Sequence, residues 1–193
     1  MVIFFYDRTF EGLLTAVFDA YNRKTFPQRL MKTGETPPLF TDEVYTVWTQ
    51  KTSAERVWKA LERKLKKEAC NMLMRVWLSE LPGSDELLLR YIRKTFDTKH
   101  DISLNFGDAD VLEVGKIARK VDHEALYLKQ FVRFQKAADD LFFAPVRPIY
   151  NALPLTIDHF TDRFADQPWV IYDLRRRYGY YYDPQTAREI TFT

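Results

Sequence analysis

The stretch "PWVIYDLRRRYGYYYD", residues 168–183, places two apolar runs of strand length on either side of Leu174 to Arg177. Each run is rich in β-branched and aromatic residues, and a short polar link joins them, so the stretch predicts a β-hairpin. Successive strand side chains take opposite faces, which sends Tyr178, Tyr180 and Tyr182 to one side and Gly179 and Tyr181 to the other. One face must be core, so the tyrosines read mainly as packing. Arg175, Arg176 and Arg177 fall at the turn, where three guanidinium groups either reach phosphate oxygens or stand in solvent.

Working back from this hairpin, a short helix after "NALP" buries Ile157, Phe160 and Phe164. From Phe131 the apolar period is two: "FVRFQK" and "LFFAPV" flank "AADD" as another hairpin, which completes a ββ-helix-ββ tail. The centre is helical. Thr52 or Ser53 opens a long helix with Val57, Leu61, Leu65, Ala69, Met72 and Val76 on one side, ended by "LPGSD". A second arm uses Leu87, Leu88, Tyr91, Ile92 and Phe96. Another helix begins near Asp108 or Asp110 and steps through Val111, Val114, Ala118, Val121, Ala125 and Leu128. At the N-terminus, Val2 to Tyr6 read as a strand, Thr9 caps an amphipathic helix, and "EVYTVWT", 43–49, alternates as a strand does. The expectation is an α+β fold with a mostly antiparallel sheet, residues 1–193 forming a single domain with a helical lobe over about 53–130.

A chain of 193 residues that is 46% hydrophobic can bury a real core. Its apolar runs are too short for a signal peptide or a membrane span, which predicts a cytoplasmic protein with no membrane partner. The single cysteine, Cys70, lies in an apolar helical pattern and reads as a small hydrophobe. Net charge is only +2, so any surface for a polyanion must be local. Residues 51–67 and Arg175 to Arg177 are the two basic foci.

The sequence contains no P-loop, no G-x-G-x-x-G, no H-E-x-x-H and no spaced cysteine set. Nucleotide hydrolysis, Rossmann cofactors, zinc sites and iron–sulfur clusters therefore lack their ligands, and the expectation is no cofactor and no metal. Asp108 and Asp110 read as caps of the following helix, with a two-carboxylate metal site as the alternative. His123 stands between Asp122 and Glu124, but neighbours on a helix point about 100° apart.

His159 and Arg163 are four apart, hence on one stripe of the short helix, where they suit phosphates unless Asp158 and Asp162 balance their charge. Phe131, Arg133 and Gln135 share one face if "FVRFQK" is a strand, the mixture of ring, guanidinium and amide that a single-strand platform uses. The predicted nucleic-acid contacts are thus Arg133, Gln135, His159, Arg163, Arg175, Arg176 and Arg177, with His159 the candidate catalytic residue if a reaction takes place.

Three stretches, "FFYDRTFEGLLTAVFDAY", "FVRFQKAADDLFFAPVRPIYNALPL" and "HFTDRFADQPWVIYDLRRRYGYYYD", resemble a bacterial family labelled "probable DNA metabolism protein", over nearly the full chain. The resemblance implies work on DNA beside a radical-SAM DNA modification or repair protein, or fused to a uracil-DNA-glycosylase-like domain. It supplies no catalytic residues. The function it implies is a DNA-metabolism or repair accessory protein that grips nucleic acid while a separate partner carries the chemistry. The alternatives are a metal-independent lyase or nuclease using a histidine–carboxylate pair, and a protein-interaction scaffold.

Overall fold

The computed structural model describes residues 1–137 and 140–192. The chain divides into two compact units, residues 1–77 with 81–116 and residues 78–80 with 117–193.

In the first unit, β1 (Val2–Tyr6) is followed by α1 (Phe10–Arg23), β2 (Arg29–Lys32) and β3 (Glu43–Thr46). Thr9 caps α1 as expected, its side-chain oxygen accepting from Gly12 N at 2.9 Å. The helix carries the chain back to the start of the sheet, so β2 returns parallel to β1, and β3 adds parallel on the other side. Ile3, Phe5 and Met31 pack on one face of this sheet.

The helical centre is present as α2 (Lys51–Lys64), α3 (Lys67–Leu78), α4 (Ser84–Asp97) and α5 (Ala109–Phe131). The long helix expected from Thr52 or Ser53 is two helices, broken at Leu65, whose backbone is extended. A continuous helix would stack Lys59, Arg63 and Lys67 at intervals of four, a repulsive arrangement. Lys64 instead reaches the carbonyls of Thr95, Phe96 and Thr98 at 2.7–3.0 Å and closes the C-terminal end of α4.

In the second unit the strand order is β4 (Gln135–Lys136), β5 (Phe142–Val146), β6 (Trp169–Asp173), β7 (Tyr178–Tyr182) and β8 (Ala187–Ile190). Three of its four ladders are antiparallel; β5 and β6 are parallel because a 3₁₀ turn (Leu153–Thr156) and α6 (Ile157–Arg163) intervene. The β6 strand is buried throughout, which suits its unbroken apolar run in mid-sheet. Tyr182 belongs to the core with Trp169, Ile171, Phe160 and Leu153, and Tyr178 and Tyr180 pack against it, so the tyrosine face is core as expected.

The strand expected from Phe131 is the clearest difference. Helix α5 continues through Phe131 because Val121, Ala125, Leu128 and Val132 repeat at three and four and pack with Ala152. Only Gln135 and Lys136 pair as strand, and of the "AADD" turn, Ala138 and Asp139 lie outside the described residues. No helix among the described residues is long and apolar enough to cross a membrane.

Candidate nucleic-acid interface

The end of α5 and one side of α6 bring together residues that are distant in sequence. Lys129, Gln130, Arg133, His159, Arg163 and Gln167 line an open groove of about 720 Å³ in the second unit. Its floor is aromatic. Phe134 meets Phe160, Phe164 and Trp169 with ring centroids 5.1–5.6 Å apart, so the floor is continuous with the core.

Each cation is placed by local structure. Arg133 follows α5, and its Nη1 donates to the carbonyls of Gln130 and Val132 at 2.9 and 3.0 Å, which fixes the guanidinium at the helix C-terminus. His159 and Arg163 take the groove side of α6, as their spacing of four predicts. Asp158 and Asp162 do not balance them there: both line a different hollow, with Tyr182 and Thr186. No carboxylate appears among the described residues lining the groove. His159 Nε2 is buried and has no hydrogen-bond partner among the described residues, in a half-buried side chain otherwise packed beside Phe160. An open hollow with three cationic side chains, a donor-capable imidazole and two amides is suited to an anion.

The other predicted contacts lie elsewhere. Gln135 is exposed on β4 and does not line the groove; since Phe131 is helical, Phe131, Arg133 and Gln135 do not share a strand face. Arg175 to Arg177 form the β6–β7 turn but do not present three equivalent guanidiniums. Asp173, fully buried, organises the turn: its Oδ1 accepts from Arg175 N and Arg176 N at 2.8 and 3.1 Å, and its Oδ2 from Arg176 Nη1 at 2.9 Å. Arg176 also binds Glu80 Oε2 at 2.8 Å and the carbonyls of Pro148 and Ile149. Burial opposes its charge, but these two carboxylates outweigh it and hold the guanidinium pKa above its ordinary value. Arg176 is therefore engaged within the protein, while Arg175 and Arg177 are exposed at the tip. Arg175 Nη1 donates to Ile149 O at 2.9 Å.

Asp108 caps α5 through Asp110 N and Val111 N at 2.9 and 3.2 Å. Both carboxylates are occupied by cations of the chain: Lys94 Nζ stands 2.7 Å from each, and Arg90 bonds Asp110 at 2.9 Å. The hydrogen bond from Lys94 holds Asp108 below the ordinary carboxylate value. Burial alone would raise Asp110, but Arg90 and Lys94 more than reverse this and leave it low as well.

Sequence reasoning missed Lys129 and Arg147. Lys129 is four residues before Arg133, a spacing legible only once α5 is known to run that far. Arg147 sits in "PVRP" and lines a smaller hollow that also includes Arg133.

Residues 82–193 match the family described as a domain of unknown function, DUF4130. The chain belongs to the DUF4130 family. The DUF4130 match contains His159, Arg163 and every other residue lining the groove. No curated protein matches the chain. Among solved structures it is similar to the pGpG-specific phosphodiesterase PggH from Vibrio cholerae, at 13% identity and a TM-score of 0.43, over 93% of this chain and 81% of that one.

Proposed function

We propose that this protein is a DNA-metabolism accessory protein that binds nucleic acid through the α5–α6 groove and works with a separate catalytic partner. The observation that carries the reading is the convergence of Lys129, Arg133, His159 and Arg163 on one hollow with no carboxylate among its described lining residues. In a chain of net charge +2 such a concentration is local, and a local cationic groove is what releases counterions from a polyanion. Arg175 and Arg177 supply outer contacts from the β6–β7 turn. A radical-SAM or uracil-DNA-glycosylase-like protein as the partner rests on the family resemblance alone.

A second reading, an enzyme in its own right, is favoured by one observation, the buried and unpartnered His159 Nε2. Against it, the described residues lining the groove include no carboxylate to orient the imidazole.

Affinity for an oligonucleotide should fall steeply as salt rises, and Arg133→Ala and Arg163→Ala should each reduce the log–log salt slope by about one. Fluorescence anisotropy over a salt series measures both. Affinity indifferent to salt and to both substitutions would sink the proposal.

A further inference from the structure

The last two turns of α5 carry an unusual pair. Tyr127 and Phe131 are four residues apart, with ring centroids at 4.7 Å and planes tilted by 39°. Neither is core: their relative exposures are 54% and 57%. Isolated exposed rings need no explanation, but two in contact form a platform, and apolar platforms on a surface mark contact sites.

What surrounds them identifies the occupant. Both rings line a hollow of about 250 Å³ shared with Arg133, Pro145 and Arg147. The one carboxylate among its described lining residues, Glu124, already accepts from Ile149 N at 2.7 Å. An apolar protein segment laid here would have to take the Arg133 and Arg147 charges out of water without pairing them. A polyanion with flat apolar faces meets neither difficulty. Base faces are hidden in a duplex by stacking, so rings that offer their faces can be matched only by unpaired bases. Val132 and Arg133 line both this hollow and the larger groove, so the two adjoin.

We propose that Tyr127 and Phe131 stack unpaired bases of a single strand whose phosphates pass Arg133 towards Lys129 and Arg163. The ligand of the groove is then a single-stranded nucleic acid. This rests on the groove being a nucleic-acid site and adds strand type and a base-contacting surface to it.

The test uses the full chain and three probes: a short oligothymidylate, a duplex of equal length, and a strand of abasic linkages that keeps the phosphates and loses the bases. Oligothymidylate should bind at least about tenfold more tightly than either other probe. The double variant Tyr127→Ala, Phe131→Ala should lose about tenfold for oligothymidylate, ~1.4 kcal/mol, and nothing for the other two, with an unchanged salt slope. Both rings are exposed, and a thermal melt confirms that the variant folds. Salt-dependent binding of all three probes with equal strength, indifferent to the ring substitutions, would overturn the stacking proposal and leave the groove reading standing. Absence of salt-dependent binding to any probe would overturn both and leave the rings as a protein-docking face.

Discussion

At the scale of single residues, Asp173 does more for the β6–β7 turn than any arginine within it. Its backbone carbonyl accepts from Arg177 N at 2.8 Å, and its side chain holds Arg175, Arg176 and the guanidinium of Arg176. Asp173→Ala removes one partner of a buried pair and leaves Arg176 with only Glu80 and carbonyls, a change that costs about 3–5 kcal/mol in comparable cases. Urea unfolding should show a loss of that order, whereas Arg175→Ala, at an exposed position, should cost well under about 1 kcal/mol. An equal effect from the two would mean that Asp173 does not organise the turn. From the sequence, "DLRRRYG" showed the turn but not the division of labour within it. Glu80 is 96 residues from Arg176, and no local pattern announces such a partner.

At the scale of elements, helices α4 and α5 are tied by Lys94 and Arg90 to Asp108 and Asp110, and the tie should depend on pH. Both carboxylates are held below 3.8, so the folded state remains ionised where the unfolded chain begins to take up protons. Their stabilisation is therefore complete above the ordinary carboxylate value and is lost as pH falls through the lower folded one. Melting temperatures measured over a pH series should place Asp110→Asn below the parent protein near neutrality, with the gap narrowing below pH 4. A gap that stayed constant into strong acid would contradict the tie. Elements governed by short-range rules were legible in advance: Thr9 before α1, Asp108 before α5, and the β6–β7 hairpin. Those governed by distant partners were not. The parallel pairing of β1 with β2 and β3 depends on a crossover, and "FVRFQK" reads as a strand until Val132 is seen to complete a helical stripe with Val121, Ala125 and Leu128. That one misassigned boundary hid both Lys129 and the Tyr127–Phe131 pair.

At the scale of the whole molecule, the protein is nearly neutral yet unevenly charged, which suits a binder that must select rather than coat its ligand. On the accessory reading proposed above, the purified chain should bind oligonucleotides without cleaving them or releasing bases, with or without magnesium. His159→Gln should then change affinity by on the order of 1 kcal/mol, as for one hydrogen bond. Gel and chromatographic assays on damaged and intact strands check this. Turnover abolished by His159→Gln with binding retained would make the protein an enzyme.

The short helix α6 bears on how a strand arrives. Its His159 and Arg163 open on the groove, and its Asp158 and Asp162 on a separate hollow. For the polyanion proposed as ligand the helix would be a watershed, with cationic side chains on one slope and carboxylates on the other. On the proposed reading, approach from the groove side would be favoured before contact forms, and approach from the other side would be opposed by like charge.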